Sequence, residues 1–439
     1  MIQRIILACF LTCIAASAFG QGYQGRDFWI CFPANAIYEQ GTAIELTLHI
    51  TSDSRTTGTI QLMNDTGKIP FSVEYGAEIP VEIDSSIVIT SSGQVERKSI
   101  HVTCDHDITL TAVSHRKAST DSYVAIPTSM LGKEYIVAGY ASLMSQGYPT
   151  FTSQAEIIAT EDNTLVTAHL TATTRDGEPA GRTIMFVLNR GEVFQSQGAG
   201  DSAHSDLTGT IVTASKPIAF FTGHRCAQVP NDVQFCDMLL EEEPPANDWG
   251  KEFIVTKFEG KTYSVVRVIA REDSTEVVLN GARVASLQKG GYCEIDTLHS
   301  DAEIQASKPV LVAQYSTSAN ADSIKIGDPF MLIVVPNDRF IKEVATTSVG
   351  TGQWYHYLNI VAPDSAFSSI RVDGRKIGPN VKHTRIADKL SVVPLLVEAG
   401  RHVVNCVSPI AVYSYGFGAL GENYDSYGHA CGMRLDINK

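Results

Sequence analysis

The chain has 439 residues, of which 44% are hydrophobic and 19% charged, the balance of a folded protein rather than a disordered one. A formal net charge of −14, without clusters of Lys and Arg, excludes a surface built to neutralise a phosphate backbone. The length allows two to four domains and a sizeable core that needs no staples.

In chain order, Met1-Ile-Gln-Arg4 is a short positive start, Ile5 to Ala16 is apolar, and Ala18-Phe19-Gly20 forms a small-x-small cleavage site. Residues 1–20 are therefore predicted to be an export signal, and the mature chain to be secreted or held at the cell surface. The apolar run is shorter than the ~20 residues a bilayer needs, and no later segment is long enough to span one. Removal of the signal leaves Cys31, Cys104, Cys226, Cys236, Cys293, Cys406 and Cys431, an odd number in an oxidising compartment.

Repeats dominate the remainder of the chain. Gly25-Arg-Asp-Phe-Trp-Ile30 returns as Gly132-Lys-Glu-Tyr-Ile-Val137 and Gly250-Lys-Glu-Phe-Ile-Val255, spaced by 107 (132−25) and 118 (250−132) residues, with a degenerate fourth copy near Phe340. Apolar strands ending in an Asp turn recur at Asp53, Asp162, Asp273 and Asp364, and Asn280-Gly281 and Asp373-Gly374 are hairpin signals. Ser215-Lys-Pro-Ile218, Ser307-Lys-Pro-Val310 and Val407-Ser-Pro-Ile410 each open a closing strand, with Asp107-Ile-Thr-Leu110 as the earliest version. Each closing strand leads into a connector marked by Asp121, Asp232 to Asp237, Asp328 or Asp425. The fold predicted is all-β, with four tandem β-sandwich-like modules of ~90–120 residues over 21–124, 125–240, 241–330 and 331–439. A closed β-propeller with two blades per repeat is the alternative. Cys104 and Cys406 stand where other units carry Ala214 and Ala306, so both are expected to be packed thiols.

The connector from His224 to Trp249 stands out, because it combines Val229-Pro-Asn-Asp232, Asp237, the run Glu241-Glu242-Glu243, Pro244-Pro245 and Trp249. Its turn chemistry and export together predict that Cys226 and Cys236 are joined, and no C-x2-C spacing points to zinc. A loop of this length on a β scaffold predicts recognition, with His224, Asp232, Asp237, Glu241, Glu242, Glu243 and Trp249 as candidate binding residues. Calcium is a candidate ligand of the Glu run, although the chain has no D-x-D-x-D-G loop. No H-E-x-x-H or G-x-S-x-G motif is present; His224, with Asp206 and Asp232 in its region, is the best general-base candidate.

Asp206-Leu-Thr-Gly-Thr, Thr222-Gly-His-Arg-Cys-Ala-Gln-Val-Pro230, Cys236-Asp-Met-Leu-Leu-Glu-Glu242, Trp249-Gly-Lys-Glu-Phe253, Gln314-Tyr-Ser316 and Asp328-Pro-Phe-Met331 together resemble the N-terminal domain of the IgG-Fc-binding protein family. The resemblance implies an extracellular, non-enzymatic adhesion module, of a kind that also occurs in exported bacterial proteins. Such a module presents loops to a glycan, matrix or cell-surface ligand. The competing expectation is a secreted polysaccharide hydrolase using carboxylates of the 224–249 connector, which requires a cleft with two carboxyl groups ~5–10 Å apart.

Overall fold

The computed structural model describes residues 22–36, 43–141, 151–200, 205–323, 325–349, 354–387, 389–418 and 424–437. The predicted export signal lies outside them. Among the described residues four antiparallel sheets of seven, eight, seven and eight strands follow one another along the chain, and the helices are short 3-10 segments of three to six residues.

Each module is organised by one long strand. In the first, Ile100–Arg116 pairs through its first half with Gly25–Ile30 and Thr56–Leu62, and through its second half with Glu45–Thr51 and Ser119–Val124. Lys68–Val73 and Glu78–Ile83 complete the two layers. Ile211–Ala227, Ala302–Tyr315 and Gly400–Gly418 do the same in the later modules. The register breaks in the middle of each, at Thr103/Ile108, Thr213/Ile218, Gln305/Val310 and Asn405/Ile410. The repeated Ser-Lys-Pro and Ser-Pro segments fall there. They are corners within a strand rather than its start, and the corner is where a proline's missing N–H does no damage to a ladder.

Bending the long strand folds its two layers face to face. In the second module Ala155, Ile157 and Phe220 close on Val166, Ala168 and Val212, and in the fourth Leu358, Ile360 and Val412 close on Val344, Ile370 and Val404. The modules are thus β-sandwiches. All seven residues of Ser153–Ala159 and of Ser264–Ala270 are buried, because a strand with one face in its own sandwich turns the other toward a neighbouring module.

The four modules close into a ring. Ser119–Val124, Asp237–Glu242, Met331–Ile333 and Ser426–Ala430, the strands that follow the long strand of each module, pack around one centre. The seam between the fourth and first modules is tied by Thr120 Oγ1 donating to Asp425 Oδ2 at 2.8 Å and by Ser122 Oγ beside His429 Nδ1 at 2.8 Å. Strand pairing shifts two expected boundaries: Asp237–Glu242 belongs to the second module's sheet and Met331–Ile333 to the third's, so the breaks at 240 and 330 move past 242 and 333. Val95–Glu96 of the first module also adds an edge to the second module's sheet.

Candidate functional site

The centre of the ring is lined by buried polar groups. Asp121 is fully buried, and its carboxylate accepts four backbone N–H groups, one from each central strand: Ser122 and Leu240 at 2.9 Å, Gly428 at 3.3 Å and Met331 at 3.5 Å. Burial drives this carboxyl well above the ordinary Asp range, while the four donors pull the other way. Sequence order matches Asp121 to Asp237, but in space it reaches three residues further along each partner strand, to Leu240, Met331 and Gly428.

The Glu run lies on the same strand system. Glu241 accepts the N–H groups of Ile333 and Ala430, Glu242 that of Ile126 at 2.8 Å, and Glu243 both the Ala138 N–H at 2.6 Å and the Thr222 hydroxyl at 2.8 Å. All three are buried. Alternation along the strand sends Glu242 to the face opposite Glu241, and the three carboxylates are committed to different groups, Ile333 and Ala430, Ile126, and Ala138 and Thr222, rather than converging on one calcium ion. Among the described residues no group of three or more His, Cys, Asp or Glu is placed to hold a metal. Burial also removes them from any polysaccharide, which could not reach carboxyl groups sealed behind backbone amides.

His224, Asp237 and Trp249 are interior as well. His224 Nδ1 accepts the Cys226 N–H at 3.1 Å, and burial lowers its pKa to about 3, so it stays neutral without access to a substrate. Asp206, which sequence placed beside it, is committed to Arg267 at 2.7 Å and to the Thr208 hydroxyl at 2.6 Å. Asp237 accepts the Met238 N–H at 2.6 Å, and Trp249 Nε1 donates to the Pro244 carbonyl at 3.2 Å. Of the residues expected to bind a ligand, Asp232 alone is exposed.

The part of the connector that faces water is the loop 228–236, and here the Cys226–Cys236 disulfide is formed. The Val229 N–H donates to Ser318 Oγ at 2.9 Å and the Ser318 N–H to the Val229 carbonyl at 2.7 Å, while Asn320 N–H donates to the Gln234 carbonyl at 3.2 Å. So fixed, the loop presents Asp232 and Gln234, and it holds Phe235, 43% exposed, stacked on Tyr424 of the fourth module at 5.4 Å between ring centroids and 21° between planes. Connectors of the second, third and fourth modules meet here. Sequence reading found the loop but chose its acidic residues over Phe235, whose signal was a large apolar side chain inside a turn-rich segment.

Arg267 was also missed. It is buried in the strand Ser264–Ala270 and ties the second module to the third through Nη1, which donates to the Gly139 carbonyl at 2.8 Å and to Asp206; Nε donates to Glu294 at 2.6 Å. The rings of Tyr140 and Tyr292 lie 4.4 and 4.7 Å from its guanidinium carbon. One lone charge within Ser-Val-Val-Arg-Val-Ile-Ala was the available clue. Cys406 is buried beside Ser369 Oγ at 3.2 Å, whereas Cys104 is half-buried beside the His106 carbonyl at 3.1 Å.

The model of the family described as IgGFc binding protein matches residues 121–416, from the ring-centre aspartate to the last long strand. The chain belongs to this family. It is also similar to the Homo sapiens protein named IgGFc-binding protein, at 22% identity over 313 residues. That match covers 70% of this chain and 6% of the human protein, so the chain spans a small fraction of its relative's length. The family is one of binding proteins, and among the described residues no helix is long and apolar enough to cross a membrane.

Proposed function

We propose that the chain is an extracellular, non-enzymatic binding module that grips a glycan, matrix or cell-surface ligand through the end of the ring where its connector loops converge. The stack of exposed Phe235 on half-buried Tyr424 carries this reading. A rigid aromatic pair offers contact area at little cost in side-chain entropy, and Asp232 and Gln234 beside it supply hydrogen bonds that fix a ligand's orientation. Prior ordering of the loop by the disulfide and by Ser318 and Asn320 lowers the entropy lost on binding.

The test is a glycan and matrix array that includes immunoglobulin Fc, the ligand named for the human relative, probed with the purified chain and with Phe235→Ala and Asp232→Ala. Loss of a wild-type signal by at least tenfold in Phe235→Ala, with unchanged unfolding, supports the reading; a signal that survives both substitutions places recognition elsewhere. Replacing Glu241, Glu242 and Glu243 by Ala is expected to lower stability and says nothing about the surface.

A further inference from the structure

Among the described residues eight strands end the four sheet orders: Lys68–Val73, Glu78–Ile83, Thr183–Leu188, Val95–Glu96, Ala282–Leu287, Tyr292–Leu298, Arg375–Lys376 and Thr384–Ile386. An edge strand offers unpaired N–H and C=O groups to any other strand, and proteins blunt such edges with charge or proline. Seven of the eight do so, with Lys68 and Pro70, Glu78 and Pro80, Glu96, Arg283, Glu294 and Asp296, Arg375, or Arg385. Thr183-Ile-Met-Phe-Val-Leu188 has neither. Because the four modules are built alike, its sister edges act as internal controls for what this position ordinarily carries.

The outer face of this edge is also apolar. Met185 is 64% exposed, Val187 52%, and Leu165, paired with Val187 on the adjoining strand, 41%. From Pro179 to Gly191 there is no carboxylate, in a chain whose net charge is −14. The two cations that flank the strand are engaged within their own chain: Arg182 with Glu178 at 2.9 Å, and Arg190 over the Trp29 ring at 5.5 Å.

We propose that Thr183–Leu188 pairs with the same strand of a second copy, antiparallel about a two-fold axis, so that two eight-stranded sheets become one. An antiparallel strand is complementary to itself, and the two-fold sets Thr183, Met185 and Val187 of one copy against Val187, Met185 and Thr183 of the other. This stretch lets two strongly acidic chains approach without setting carboxylates against each other. The dimer presents two connector ends at once, which raises avidity for a repetitive surface without any new ligand contact.

Sedimentation velocity of the purified full chain from about 1 to about 100 µM, the range in which a small interface associates, is expected to show a monomer–dimer equilibrium. Met185→Lys with Val187→Lys restores the charge the sister edges carry, and should weaken association at least tenfold while leaving the melting curve in place. Val284→Lys, on the sister edge Ala282–Leu287, should change nothing. Should the double variant fold poorly, Met185→Cys under oxidising conditions is expected to yield a covalent dimer that Val284→Cys does not. A wild-type chain that stays monomeric, a dimer indifferent to the two lysines, or capture of a different protein by this edge would overturn the proposal.

Discussion

Asp121→Ala removes the acceptor for four buried amides at the ring centre. An unmet buried donor costs about 1–3 kcal/mol. Taking about 2 kcal/mol for each of the two bonds at 2.9 Å and about 1 for each longer one gives about 6 kcal/mol. Loss of the carboxylate also removes the desolvation it suffers in the fold, which offsets about 2–3 kcal/mol and leaves a net destabilisation of about 3–4. At an unfolding entropy of ~2.1 cal/mol/K per residue, a cooperative chain of this length loses roughly 1 °C per kcal/mol, or about 3–4 °C. Denaturant unfolding monitored by tryptophan fluorescence measures the difference, with the exposed Glu82→Ala as a control expected to stay within about 0.5 kcal/mol. Hydrogen exchange at Leu240 and Gly428 should quicken in the variant, because these amides lie in modules other than that of Asp121. Stability within 1 kcal/mol of the parent, or unchanged exchange at those two amides, would refute a central role for this carboxylate.

Stability should fall as pH rises from about 6.5 to about 8: burial lifts Glu243 to about 8 and Asp328 and Asp425 to about 7, so the folded chain holds protons that the unfolded one, with carboxyls near 4, has released. His224 and His429, lowered to about 3, and His356, lowered to about 4, act in the opposite sense but only below about 6.5. Glu243 alone accounts for about 2 kcal/mol across the window, so urea midpoints that stay level or rise between these pH values contradict it, and Glu243→Gln should flatten the slope. Arg267→Ala strands Asp206 in the interior between two modules and should cost about 3–5 kcal/mol by chemical denaturation; a cost below about 1 kcal/mol would show that the pair is dispensable. Opening the disulfide with Cys226→Ser and Cys236→Ser should cost about 2–3 kcal/mol in unfolding free energy, as expected for so short a closed loop, and an equal midpoint would argue that the hydrogen bonds to Ser318 and Asn320 suffice. Cys104, raised to about 12 by burial beside Asp107, should react with a thiol reagent far more slowly than a free thiol, and fast labelling of the native chain would count against its being packed.

Local geometry was well encoded in the sequence. The repeated Gly-Lys/Arg-acid segments open the strands Gly25–Ile30, Gly132–Ile136 and Gly250–Val255, and Asn280-Gly281 and Asp373-Gly374 take the positive φ angles that their hairpins need. The disulfide was legible for the same reason, since ten residues and one turn bring two cysteines within reach. What escaped were the effects of ring closure. Glu241-Glu242-Glu243 reads as part of a recognition loop because a run of acids is ordinarily exposed, and only the convergence of four strands supplies the buried amides that hold it. Asp121 and Arg267 draw their partners from other modules, up to 307 residues away, and no local pattern announces such a partner. The proline corners were misjudged because a proline at a strand start and one at a bend share the same local sequence.

The seam between the first and fourth modules bears on how the chain is made. When Ser119–Val124 leaves the ribosome, Asp121 faces amides of which the last, that of Gly428, is still 307 residues from synthesis. At that point Asp121 lacks three of its four amide partners and the first module has an uncovered apolar flank, so its final packing must wait for the whole polypeptide. Contacts of such long range are slow to form, since the entropy of closing the loop is lost before any of them repays it. That delay makes completion of the ring the step most exposed to aggregation and to assistance by chaperones.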